Sequence, residues 1–181
     1  MTAKKTKRII YFSGLQRGKQ KKNQPRNPKI LALEAAGYQV VGMPTSADYK
    51  QTLVSFNLLR SVIALDDTET YVIGTSLGGY WAYRFGKETN LPTILINPQL
   101  NPHYYPARDI DDLFKADNRC ELTVLLTEDD DIIPYQETLR NIEHYDIGCQ
   151  ITTFAEGGHR FITPESTKYL VDLVDNYVPC L

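Results

Sequence analysis

The stretch Tyr71–Lys87, YVIGTSLGGYWAYRFGK, decides the fold. Its first five residues are a short β-rich apolar run and are predicted to form a strand. From Leu77 the pattern becomes helical. Between them lies Gly74-Thr75-Ser76-Leu77-Gly78, a G-x-S-x-G turn. At a strand-to-helix junction this spacing forces the serine into a strained backbone conformation that lifts its hydroxyl clear of the sheet. Side chains at 74 and 78 would collide with the neighbouring strand and helix. The helix start offers free amide N–H groups to developing negative charge. Ser76 is therefore the expected nucleophile, and Leu77 N–H an expected oxyanion donor. The competing reading is a Gly-rich packing turn without catalytic use. A phosphate loop is excluded because no Lys follows the glycines, and the dinucleotide pattern G-x-G-x-x-G is absent.

Outward from this turn, short apolar runs alternate with helical patterns, the signature of parallel βαβ units. Strands are expected at Arg8–Ser13, Tyr38–Gly42, Tyr71–Thr75, Thr93–Asn97, Leu122–Thr127 and Gln150–Phe154. Helices are expected from Pro28 to the stop at Gly37, after an Asp48 N-cap, from Leu77 to about Lys87, from Tyr135 to about His144, and after loop 155–164. The chain of 181 residues fits one α/β domain, with residues 1–7 as a basic tail. Hydrophobic residues make up 42% and charged residues 23%, which excludes a disordered chain. No apolar run approaches the ~20 residues that span a bilayer, and the N-terminus lacks a signal-peptide core. The three scattered cysteines form neither a disulfide framework nor a zinc pattern, so a cytoplasmic, reducing location is expected.

An activated serine needs a base, and the base needs an orienting acid. In such folds both follow the serine in chain order, on loops at strand C-terminal ends. His159, in Glu156-Gly157-Gly158-His159-Arg160-Phe161, directly follows the sixth strand and is the expected base. His144 ends a polar helix, and His103 lies in the Pro- and Tyr-rich loop 98–108. The fifth strand runs into Glu128-Asp129-Asp130-Asp131-Ile132-Ile133-Pro134. Four successive carboxylates cannot all be buried unpaired. Asp130 is chosen as the acid, with Asp129 and Asp131 able to take the role. The loop after the first strand, Ser13-Gly14-Leu15, should supply the second oxyanion donor, Leu15 N–H.

These residues resemble the α/β-hydrolase superfamily and, within it, the small bacterial YqiA/YcfP-like esterase family. The likeness rests on GTSLGGYWAYRFG (74–86), ILINPQLNP (94–102), EDDDIIP (128–134) and GGHRF (157–161). It implies a three-layer α/β-hydrolase sandwich with a mostly parallel sheet of about six strands and little or no lid. It also implies cleavage of ester or thioester bonds by a Ser76–His159–Asp130 triad through an acyl-enzyme, without metal or cofactor. The chain departs from the family in carrying Ser13-Gly14 where relatives usually have His-Gly. A catalytically inactive binding module of the same fold is the alternative.

Leu15, Tyr80, Tyr104, Tyr105, Ile132 and Ile133 are expected to line the substrate pocket, although Tyr80 and Trp81 could equally pack the nucleophile helix. The partner is a small ester or thioester, with no membrane. Net charge is −2, yet residues 1–30 hold ten bases and no acid, leaving 10 bases against 22 acids beyond. Arg17, Lys19, Lys21, Lys22, Arg26 and Lys29 fall in or just after the loop beyond the first strand, where they could attract an anionic part of the substrate. The segment lacks interleaved aromatics, which argues against nucleic acid.

Overall fold

The computed structural model describes residues 7–14, 26–43, 45, 49–101 and 121–177. Strands β1 (Arg8–Phe12), β2 (Gln39–Met43), β3 (Thr70–Thr75), β4 (Thr93–Ile96), β5 (Leu122–Thr127) and β6 (Gln150–Phe154) form one sheet in the order β2-β1-β3-β4-β5-β6. All five pairings are parallel, with Ile10 opposite Val41 and Val72, and Gly74 opposite Leu95. The described helices are α1 (Pro28–Ala35), α2 (Tyr49–Ile63), α3 (Leu77–Thr89), α4 (Tyr135–His144) and α5 (Pro164–Asp175).

Strands β1, β3, β4 and β5 are buried along their whole length, whereas β2 and β6 are partly exposed as sheet edges. Successive strand residues point to opposite faces. Ile10, Phe12, Val72, Leu95 and Leu126 therefore join Phe56, Leu59, Tyr83 and Phe85 of α2 and α3 on one side. Ile9, Tyr11, Ile73, Ile94 and Leu125 join Leu33, Leu170 and Val174 of α1 and α5 on the other. The three expected layers follow from this alternation.

Capping fixes where the helices start. Asn27 Oδ1 accepts from Lys29 N at 3.0 Å ahead of Pro28, and Thr163 Oγ1 accepts from Ser166 N at 3.1 Å ahead of Pro164. Several boundaries differ slightly from the sequence reading; β1 ends at Phe12 rather than Ser13, and β3 begins at Thr70 rather than Tyr71. α3 continues to Thr89 and is closed by Asn90 in the left-handed conformation. β2 runs one residue later than expected, and β4 stops at Ile96 because Asn97 turns out of the strand with φ 42°.

The strand order places the site. The chain steps from β1 to β2 on one side, then returns to β3 on the other side of β1. The C-terminal ends of β1 and β3 therefore flank the reversal point, where open parallel sheets bind ligands. Ser13-Gly14 and Ser76 lie at those two ends. Among the described residues, no helix is long and apolar enough to cross a membrane.

Candidate active site

Ser76 caps α3 with φ 55° and ψ −125°, a left-handed conformation that a non-glycine residue occupies only at a cost of about 1–3 kcal/mol. Close packing enforces it. A Cβ at Gly74 would stand 2.4 Å from Ala82 Cβ and from Gly78 O; one at Gly78 would stand 2.2 Å from Phe12 O. Only glycine lets α3 approach β1 and β3 this closely. Ser76 N donates to Ile96 O at 3.1 Å, and Ser76 O accepts from Gly79 N and Gln99 N at 2.8 and 2.9 Å. Beneath the turn, Tyr11 Oη and Thr75 Oγ1 share a 2.6 Å hydrogen bond. Burial pushes the Tyr11 phenol up to about 12, against the opposing pull of its bonds to Thr75 and Asn27, so it stays neutral. On the β1 side, a Cβ at Gly14 would be 3.1 Å from Ser76 Cβ.

His159 Nδ1 lies 2.8 Å from Asp130 Oδ2 and 3.0 Å from Oδ1. A carboxylate only accepts, so Nδ1 carries the hydrogen that faces Asp130, which leaves Nε2 as the acceptor of the neutral tautomer. The Asp130 side chain is 1% exposed, and its Oδ1 also accepts from Ile132 N and Ile133 N at 2.8 and 2.9 Å. Burial opposes its ionisation most strongly. The hydrogen bond to His159, the two amides and the attraction of the imidazole together outweigh that and hold the carboxyl below its usual range.

The three consecutive aspartates have different surroundings. Asp130 meets the His159 ring. The Asp129 carboxylate instead accepts from the backbone just before His159, Gly158 N at 2.7 Å and Gly157 N at 3.2 Å. Asp131 is exposed. Gly157 and Gly158 both have positive φ, 149° and 56°, which lets their amides turn onto Asp129 before the chain delivers His159. Lys29 Nζ, almost fully buried, donates to Arg160 O from the α1 side. Burial and the nearby Arg160 guanidinium lower the Lys29 ammonium to about 8.

The expected substrate contacts divide. Ile132 is 64% exposed beside Asp130, whereas Ile133 is buried. Tyr80 has no exposed surface and packs edge-on against Trp81 inside the core, so its position is that of the packing alternative. Leu77 begins α3 next to Ser76. Leu15, Tyr104 and Tyr105, with Arg17, Lys19, Lys21 and Lys22, lie outside the described residues. Of the basic set that is described, Arg26 pairs with Glu34 at 2.6 Å and Lys29 is buried, so neither presents a free cation. A cavity of about 430 Å³ opens beside Asp130, lined among the described residues by Glu128, Asp130, Pro134, Tyr135 and Gln136. Sequence reasoning missed Asn97 and the clamping role of Asp129. An Asn leaving a strand ahead of Pro98 was the available signal, because Asn tolerates left-handed backbone.

The sheet order, the strained serine turn and the two later strand-end loops define an α/β-hydrolase fold. The uncharacterised protein family UPF0227 matches residues 37–113. A UPF0227 protein of Vibrio parahaemolyticus is 32% identical over 96 residues, covering 45% of this chain and 54% of the relative. The UPF0227 protein YcfP of Escherichia coli is 29% identical over 108 residues, 52% of this chain and 58% of YcfP. The resemblance to YcfP-like proteins read from the motifs is thereby borne out, and the chain spans about half the length of these curated relatives. Among solved structures, the esterase domain of a Rhodothermus marinus protein superposes with a TM-score of 0.68 at 11% identity, over 96% of this chain and 86% of that one. At that identity the likeness is one of fold.

Proposed function

We propose that this protein is a serine hydrolase that cleaves carboxylic ester or thioester bonds of a small substrate through an acyl-enzyme. The observation that carries the reading is the buried Asp130 carboxylate bonded to His159 Nδ1, on the same sheet edge as a serine in strained φ,ψ. In the reaction, Ser76 Oγ attacks the acyl carbon while His159 Nε2 takes its proton. The tetrahedral oxyanion is held by the N–H groups of Leu77 and Leu15. His159 then returns the proton to the leaving alcohol or thiol, and the C–O or C–S bond breaks. Water, deprotonated by the same imidazole, attacks the acyl carbon; the Oγ–C bond breaks, the acid leaves, and the imidazole returns the proton to Ser76 Oγ. Asp130 stays ionised throughout and stabilises the imidazolium.

The exposed Ile132 and the neighbouring open cavity suit a short or medium acyl or leaving group. Attraction of an anionic substrate portion falls to Arg17, Lys19, Lys21 and Lys22. A panel of acetate, butyrate and longer aryl esters with matching acyl thioesters, run on wild type and Ser76→Ala, tests the reading. Turnover in wild type and none in Ser76→Ala is expected. Equal turnover by both proteins would refute it.

A further inference from the structure

The carboxamide of Asn97 joins the end of β5, which leads to Asp130, to the loop that carries His159. Asn97 is 2% exposed and sits at φ 42° immediately after β4. Its Oδ1 accepts from Thr127 N at 2.9 Å. Its Nδ2 faces three acceptors, Thr127 Oγ1 at 3.0 Å, Gly158 O at 3.1 Å and His159 O at 3.3 Å. Two hydrogens serve these three oxygens, so one is shared. Thr127 Oγ1 passes its own proton to Gly158 O at 3.0 Å, which closes the ring.

The backbone on either side extends this connection to the other two groups. Ser76 N is bonded to Ile96 O, the carbonyl next to Asn97, and Asp130 N reaches Thr127 O at 3.4 Å. The Asn97 side chain thus ties the histidine loop to Thr127 at the head of the acid loop, while the nucleophile turn is bonded to the backbone of the residue before Asn97. An ordinary core Asn would be satisfied by its own strand neighbours. This one bonds Thr127 of the neighbouring strand and also donates to the carbonyls of Gly158 and His159 in a different loop.

We propose that Asn97 is the positioning residue that holds the His159 loop in register with Asp130 and Ser76. It touches no substrate and acts only through His159. The proposal rests on the serine-hydrolase reading for its kinetic consequence but not for its structural one. Two variants separate positioning from folding. Asn97→Asp keeps the shape, the tolerance of left-handed backbone and the acceptor for Thr127 N, but turns an acceptor oxygen toward the carbonyls of Gly158 and His159. Asn97→Gly keeps the backbone conformation and removes the clamp altogether.

Kinetics on the best ester of the panel, thermal melts, and the downfield proton resonance of His159 Nδ1–H bonded to Asp130 form the test. The resonance is identified by its loss in Asp130→Asn. The expected result is a cooperative melt in at least one Asn97 variant, kcat lowered about 100-fold with KM within about threefold of wild type, and the resonance broadened or lost. A folded variant with wild-type kcat or an intact resonance overturns the proposal. Failure of both variants to fold also overturns it, because Asn97 is then a residue of the fold. If wild type turns over no ester, the hydrolase reading fails, and the resonance alone decides the role of Asn97.

Discussion

Replacing Asp130 by Asn makes a specific chemical prediction because the surroundings dictate which way the new carboxamide turns. Oδ1 of Asp130 accepts from the amides of Ile132 and Ile133 at 2.8 and 2.9 Å. Those donors require an oxygen, so the NH2 group must occupy the Oδ2 position, which lies 2.8 Å from His159 Nδ1. There it donates to Nδ1 and drives the imidazole proton onto Nε2, the nitrogen that accepts from Ser76 in the proposed reaction. The base is then present in the wrong tautomer and loses the charge that stabilises its protonated form. Loss of that charge in a triad costs on the order of 10⁴ in kcat, or about 5 kcal/mol of transition-state stabilisation. The two retained amide bonds limit the loss of stability to about 1–2 kcal/mol, a shift of a few degrees in Tm. Steady-state kinetics with a chromogenic short-chain ester, beside a thermal melt, read both quantities. KM should hardly move. An Asp130→Asn protein within tenfold of wild-type kcat, or Asp129→Asn as the more damaged variant, would show that Asp130 does not set the tautomer of the base.

Other perturbations follow from the same contacts. Asp129→Ala releases the amides of Gly157 and Gly158, so kcat should fall by about tenfold while the protein still melts cooperatively, and an unchanged kcat would argue against the clamp. Gly78→Ala puts a Cβ 2.2 Å from Phe12 O and should cost about 1–3 kcal/mol or more in chemical denaturation, because the obstacle is backbone. Because the Asp130 carboxyl is held below its ordinary value of about 3.9, its ionised form stabilises the fold above that pH. That contribution is lost as pH falls through the folded-state value, so urea titrations from pH 5 to pH 2 should show a steeper loss in wild type than in Asp130→Asn. The Lys29 shift has the opposite pH window. With its ammonium near 8 in the fold and near 10.5 unfolded, the unfolded chain binds more protons between those values, and stability contributed at this site rises with pH there. Relative to Lys29→Met, wild type should therefore gain stability between pH 8 and pH 10, and a constant difference would contradict the burial of the charge.

The layers and strand positions are legible in the sequence because each depends on a local signal. Leu122–Thr127 and Gln150–Phe154 are short β-rich runs between turns, and both occupy the expected residues. The serine turn is legible for a similar reason, since its two glycines answer a steric requirement at fixed spacing. What sequence cannot supply is the direction of side chains in loops. Which aspartate of 129–131 meets His159 is decided by the turn in which Asp130 caps the amides of Ile132 and Ile133, while Asp129 reaches 28 residues along the chain to Gly157. Tyr80 illustrates the same gap from the core side. Its place one turn into α3 suits a cleft, but the close approach of α3 through Gly78 and Gly79 presses it fully into the interior. Asn97 needs a left-handed exit from β4 before its carboxamide can reach two other loops, and no spacing rule encodes that.

Covalent phosphonylation reports on the Ser76 hydroxyl itself. Wild-type protein is treated with a fluorophosphonate, digested, and the adduct located by mass spectrometry. One adduct is expected, on the peptide that contains Ser76, absent from Ser76→Ala and formed far more slowly in a His159→Ala variant. No adduct on the wild-type protein, or one that persists in Ser76→Ala, would contradict Ser76 as the nucleophile.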